Sequence, residues 1–222
     1  MNTLPRPSPP RQSELAYAGI LQALFAGKVK FGSFISQSDL TAMTGFGVGP
    51  VRDALRLLET EGIIVIHPRS GIEVIRPSTE LARSTFQFRS IIERFAARQF
   101  ALTAPLQTMD DLIALHDRAI ADLAGCASDV NLSDAMTGLE KDFHAAITAS
   151  LSNAIVDSAY RRLHLLSQIV RMNGLVTRHT AEISIGEHLD VLRAARARDP
   201  DTAESAMMRH LTNALHRNLG LM

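Results

Sequence analysis

One dipeptide, Asp199-Pro200, constrains this chain more than any other pair of residues. Asp caps helices and Pro suits a first helical turn, so one helix must end before the pair and another begin at it. His188 lies 11 residues before Asp199 and His210 lies 11 after it. If the two helices fold back as an antiparallel hairpin, a rise of roughly 1.5 Å per residue sets both imidazoles about 16 Å from the turn, at the same height. A second pair, Glu140 and His144, is spaced by four inside an apolar-periodic stretch and so shares one helix face. Three helices can therefore aim Glu140, His144, His188 and His210 at one point. Three imidazoles with one carboxylate suit a borderline divalent ion, zinc first, with nickel and manganese as alternatives; calcium would want mostly oxygens.

A chain of 222 residues can hold one large domain or two modest ones with proper cores. The lone Cys126 excludes an intramolecular disulfide, and a thiol-poor chain without a signal peptide fits a reducing, cytoplasmic setting. No apolar run approaches the ~18 residues of a membrane span, so no membrane partner is expected. Pro5, Pro7, Pro9 and Pro10 make residues 1–10 an extended arm. The formal net charge is zero, but residues 1–78 carry eight Lys/Arg against six Asp/Glu, leaving the remainder with fifteen against seventeen. This mild asymmetry matters less for a nucleic-acid partner than a local patch of arginines would.

Residues 11–77 read as helix, helix, turn, helix, hairpin. Leu15, Ala18, Ile20, Leu21 and Leu24 form a stripe on a first helix ending at Gly27, followed by a short extended link, Val29 to Ile35. Ser36 or Ser38 caps a second helix running through Met43, and Pro50 starts a third. On that third helix Val51, Ala54, Leu55 and Leu58 face a core, leaving Arg52, Arg56 and Glu59 on the other side. Ile63 to Ile66 and Ile72 to Ile75 make two strands around a tip, His67-Pro68-Arg69-Ser70-Gly71. The sum is a winged helix-turn-helix, with Arg52 and Arg56 placed for a major groove and Arg69 at the wing. A small module of this kind can instead mediate protein contacts, with its arginines merely solvated.

The run from Gly49 to Gly62, Gly-Pro-Val-Arg-Asp-Ala-Leu-Arg-Leu-Leu-Glu-Thr-Glu-Gly, resembles the recognition-helix segment of the GntR family of bacterial transcription regulators, and Arg69-Ser70-Gly71 with Val74 resembles its wing. The resemblance implies that Arg52 contacts bases, that Arg56 is a neighbouring contact, and that Arg69 and Gly71 belong to the wing. A single winged helix reads only a few base pairs, so two are expected, in a homodimer on a palindromic operator in double-stranded DNA. The chain departs from the family at Gly47-Val48-Gly49, where Ser-Arg-Thr is common, so a capping hydroxyl, an arginine contact and a phosphate-binding threonine are missing. Gly in place of Ser as a cap costs only a few tenths of a kcal/mol, so the fold should survive.

From residue 78 to 222 the pattern is all helical: Thr79–Thr103, Pro105–Ala124, Leu132–Ser150, Ala154–Asn173, Thr180–Asp199 and Pro200–Leu219, with breaks at Ala104-Pro105, Asn153, Gly174 and Asp199-Pro200. These six helices resemble the FCD ligand-binding domain of the FadR branch, in its six-helix VanR-type form. Its carboxylate-x-x-Phe-His motif appears as Glu140-Lys141-Asp142-Phe143-His144, with Glu where Asp is usual, and its later histidines as His188 and His210. The resemblance implies a regulatory pocket in which the metal grips a small carboxylate metabolite. Arg89, in Phe88-Arg89-Ser90-Ile91-Ile92-Glu93, is placed either to bind that carboxylate or to pair with Glu93; Asn213 follows His210 by about one turn and is a second effector candidate. Asp142 has the wrong spacing to replace Glu140 and is expected in solvent. His67 is read as a support for the wing. His116, His164, His179 and His216 have no partner spacing and read as surface or helix-end residues.

The sequence thus leads to a mainly α protein, a winged helix-turn-helix followed by a helical bundle. It is expected to act as a repressor controlled by a metal-bound carboxylate rather than as an enzyme. The rivals are a metal-dependent hydrolase and an interaction module with a structural metal.

Overall fold

The computed structural model describes residues 9–123, 129–172 and 176–221. Pro5 and Pro7 of the arm, Cys126, Asn173 and the Gly174 break lie outside them. The chain divides between Pro77 and Ser78 into two compact units.

The first unit begins with α1 (Gln12–Phe25), whose buried residues are Ala16, Ile20, Ala23 and Leu24. The stripe expected from sequence is half right: Leu15 is 39% exposed, because the helix turns its alanines, not Leu15 and Ala18, toward α3 (Val48–Thr60). Small residues there let the two helices approach closely. Ser36, not Ser38, caps α2 (Gln37–Thr44) by accepting from Asp39 N, while Asp39 reaches back to Ser36 N. Left-handed Gly45 ends that helix.

α3 starts at Val48 behind an extended Gly47, two residues before Pro50. A proline is tolerated within the first turn because the N–H groups there have no intrahelical acceptor. No side chain caps this helix, as the glycine at 47 requires. Its buried face is Val51, Ala54, Leu55 and Leu58, as the periodicity predicts.

The link expected to be merely extended contains a strand, β1 (Phe34–Ile35), which pairs antiparallel with β3 (Gly71–Val74); β2 (Ile64–His67) pairs with β3 from the other side. Two residues carry too little pattern to reveal a strand. Gly71 has φ +102, and a Cβ there would stand 3.2 Å from the carbonyl oxygen of Ile35, so the first strand leaves room only for glycine.

The second unit has six helices among the described residues: α4 (Thr79–Thr103), α5 (Leu106–Leu123), α6 (Asp129–Ala149), α7 (Ala154–Arg171), α8 (Arg178–Arg196) and α9 (Pro200–Asn218). α4 packs along α9, α9 against α8 and α8 against α5, while α6 and α7 lie against α4. The main core joins Ala96, Ala97, Phe100 and Ala101 of α4 to Phe143 and Ile147 of α6 and to Ala203, Met207 and Leu211 of α9. Asn153 caps α7 and Asp199 caps α9, the latter accepting from Thr202 N at 3.0 Å. In the α8–α9 turn Arg198 adopts φ +57 and donates to the carbonyls of Ala101 (2.7 Å) and Ala104 (2.9 Å). A guanidinium is thereby fixed on the carbonyl end of α4, where the helix dipole favours a cation. Among the described helices none is long and apolar enough to cross a membrane.

Candidate metal centre

The hairpin arithmetic holds in three dimensions: the rings of His188 on α8 and His210 on α9 have centroids 4.5 Å apart. From α6, His144 brings its ring to 5.4 Å from His188 and 5.3 Å from His210. One ligand atom from each of Glu140, His144, His188 and His210 lies within 4.8 Å of the others, and all four residues are buried. Phe143, next in sequence to His144, stacks on His188 at 3.9 Å with the planes 8° apart and closes the cluster from the core side.

His188 and His210 are each oriented by an acceptor behind the ring, and His144 has a carboxylate behind it, although its Nδ1 makes no hydrogen bond of good geometry. His210 Nδ1–H donates to Glu187 Oε2 at 2.9 Å. His144 Nδ1 stands 2.5 Å from Glu93 Oε2. His188 Nδ1–H donates to His116 Nε2 at 3.1 Å, and His116 Nδ1–H donates in turn to the carbonyl of Leu112 at 2.7 Å. The Nε2 atoms face inward: His144 Nε2 is 3.4 Å from His210 Nε2 and 3.5 Å from Glu140 Oε2, and His188 Nε2 is 3.4 Å from Glu140 Oε1. His188 Nε2 is buried without a hydrogen-bond partner.

Lone pairs and a carboxylate turned on one another repel unless a cation lies between them, so the donor set fits a divalent ion. Burial holds His188 and His210 below the ordinary imidazole range, and thus neutral, as ligands must be. Glu140 is ionised: burial raises its pKa, but Arg171, donating at 2.8 Å, and the neighbouring histidines bring it well below the ordinary value. Ser184 donates to its other oxygen at 2.9 Å.

The two effector candidates are engaged within the protein. Arg89 is buried and its Nε donates to Glu93 at 2.6 Å, the ion pair that i,i+4 spacing allowed; its Nη2 lies 2.9 Å from His144 Nε2. Asn213 donates to Glu187 Oε1 at 2.8 Å, so it braces the partner of His210. Asp142 is exposed, as expected.

His116 corrects the sequence reading, for it is fully buried and touches His188. The signal was present: Met109, Leu112, His116 and Leu123 share one buried face of α5. His164 is half-buried rather than a surface residue, with an Nε2 that has no partner. His179 and His216 are exposed. Glu187, Arg171 and the reach of Glu93 to His144 were missed because each depends on a helix face whose role appears only when the helices pack.

In the first unit, Arg52 and Arg56 stand exposed on α3, with Asp53 3.8 Å from Arg56 Nη1. Arg69 is exposed at the wing tip with φ +74, and His67 braces the wing through Glu73 Oε2 at 2.7 Å.

Comparison with known proteins accords with both units. The family described as bacterial regulatory proteins, gntR family, matches residues 12–74, and the FCD domain matches residues 84–213, well over half the chain. The transcriptional repressor NanR of Klebsiella aerogenes is 26% identical over 85% of this chain and 78% of its own. RspR of Escherichia coli K12, also a transcriptional repressor, is 26% identical over 81% of this chain and 77% of its own. A GntR regulator from Rhodococcus sp. RHA1 shares the fold with a TM-score of 0.77 at 17% identity, covering 95% of this chain and 99% of that one. E. coli McbR/YncC does so at 0.76 and 15%, covering 96% and 99%. These families and relatives are transcription regulators, not enzymes. The chain belongs to the GntR family of bacterial transcription regulators, in the branch that joins the DNA-binding unit to an FCD domain.

Proposed function

We propose that this regulator is a cytoplasmic repressor that binds a palindromic operator as a homodimer and is released by a small carboxylate metabolite held at a divalent ion, zinc first among the candidates. The observation that carries the reading is the convergence of three imidazole nitrogens and Glu140 inside an FCD domain. Glu140, His144, His188 and His210 would hold the ion, which when bound supplies an electrophilic anchor for an anionic ligand. Residues 11–77 serve DNA and residues 78–222 serve metal, effector and dimer. Arg52 and Arg56 address the major groove, and Arg69 with Gly71 forms the wing's contact. Repression is supported by the relatives NanR and RspR, which are transcriptional repressors. The dimer is supported by an exposed apolar stripe on α4, Phe88, Ile91, Phe95 and Leu102, at one-face helical spacing.

The test is an operator selected from a random duplex pool, followed by gel shifts of zinc-loaded wild type, Arg52→Ala and His188→Ala. Arg52→Ala should lose about 1–3 kcal/mol of specific binding. His188→Ala should keep DNA binding while losing its zinc. A chain that selects no sequence, or that holds no metal after gentle purification, overturns the reading.

A further inference from the structure

The charge balance around the cluster constrains the effector further, an inference that rests on the metal-and-carboxylate reading above. Each buried carboxylate near the site already has a guanidinium: Glu93 takes Arg89 at 2.6 Å, Glu140 takes Arg171 at 2.8 Å and Glu187 takes Arg217 at 2.7 Å. These six charges cancel. A divalent ion among the Nε2 atoms therefore brings two positive charges that the surrounding pairs leave uncompensated, an expensive state in a buried site. A monocarboxylate would offset only one of them.

The structure also shows where a second negative charge would be received. Arg89 Nη2 rests against His144 Nε2 at 2.9 Å, the nitrogen whose lone pair faces the cluster. One lone pair cannot serve both a guanidinium N–H and a metal ion, so a metal there would release the N–H that Arg89 Nη2 directs at His144, while its other N–H stays with Glu93 Oε2 at 3.4 Å. Arg171 Nη2 and His164 Nε2, both from α7, are buried without hydrogen-bond partners. Buried polar atoms are almost always paired, so unpaired ones mark a place that a ligand or water fills. Tyr160 belongs to the same wall, with its ring 6.4 Å from that of His164 and its hydroxyl within electrostatic range of Arg89 and Arg171. α7 packs against α4, and Arg89 reaches His144 while Arg171 reaches Glu140, so both guanidiniums border the cluster; His164, seven residues before Arg171, shares its face of α7.

We propose that the effector is a small dianion of the dicarboxylate class, with one carboxylate at the Nε2 cluster and the second received by Arg89, Arg171 and His164.

The experiment uses the full zinc-loaded chain, titrated calorimetrically with propionate, succinate, glutarate and inorganic phosphate, with melting temperature and bound zinc measured in parallel. Succinate or glutarate should bind at least about tenfold more tightly than propionate, the gain of one charge-assisted contact. His164→Leu should shrink that advantage at unchanged zinc content; if this variant does not fold, the wild-type series decides alone. Equal affinity for propionate and both dicarboxylates would overturn the second anionic subsite while leaving the metal-and-carboxylate reading intact. Phosphate binding tighter than either dicarboxylate would overturn the ligand class. Zinc-loaded protein that binds no carboxylate at all would overturn the reading beneath.

Discussion

His116 shows how far the chemistry of a site extends beyond the residues that would touch its ion. Its Nε2 accepts a hydrogen bond from His188 Nδ1–H and its own Nδ1–H donates to the Leu112 carbonyl, so one chain of bonds fixes two tautomers. His144 and His210 have carboxylates in that role; His188 has a neutral ring, which polarises it less. His116→Leu should therefore lower zinc affinity about 10- to 100-fold, read by competition with a chromogenic chelator, while His116→Gln, which keeps an acceptor, should recover part of it. Affinity unchanged in His116→Leu would reduce the contact to packing. At this scale the sequence was legible where spacing alone determines direction, as for Glu140 with His144. It was silent where direction depends on a neighbour: Glu93 sits two helices away from His144 and Glu187 one helix away from His210.

At the scale of elements, Asp199, Pro200 and Asn153 announced their helix ends because capping is local chemistry, and α4 runs over the same residues that periodicity predicts. α1 misled because a stripe of leucines is a weaker guide than the close approach of alanines, and β1 escaped because its partner strand lies far along the chain. The apolar face of α4 is legible in both views, since Phe88, Ile91, Phe95 and Leu102 recur on one side and are 44 to 67% exposed. If it is the dimer contact, the double substitution Ile91→Glu and Phe95→Glu should give a monomer by sedimentation at micromolar concentration, with helical content unchanged, because like charges then meet across the two-fold axis. A dimer that persists would place the contact on another face.

For the whole molecule, the buried histidines tie stability to pH. Burial, reinforced by Arg171, keeps His164 neutral down to about 4, against an ordinary value of 6.5. The unfolded chain takes up that proton first, so the contribution is full above pH 6.5 and is lost as pH falls toward 4, at roughly 1.4 kcal/mol per pH unit for one such group. His188 and His210 shift in the same direction. Glu187 acts lower: burial raises its pKa, but bonds from His210, Arg217 and Asn213 bring it to about 2, so its contribution persists above 4.5 and fades between there and 2. Urea midpoints of metal-free protein should accordingly fall more steeply between pH 6.5 and 5 than between 8 and 6.5. A flat profile would mean that these rings are solvated.

Phe143 and the helices around it leave the four candidate ligands between 0 and 9% exposed, and this sets a clock. An ion enclosed so completely cannot leave by stepwise exchange with solvent; the bundle must first part, a motion of microseconds to seconds. Zinc loss to excess chelator should then proceed at a rate independent of chelator concentration, and Phe143→Ala should accelerate it more than it weakens equilibrium binding. A rate that rises in proportion to chelator would mean that the chelator reaches the ion directly. A metabolite carboxylate that reaches the ion must pass through the same opening, so ligand arrival would share that slow step, while an ion held by four protein ligands would be lost in only a fraction of the openings.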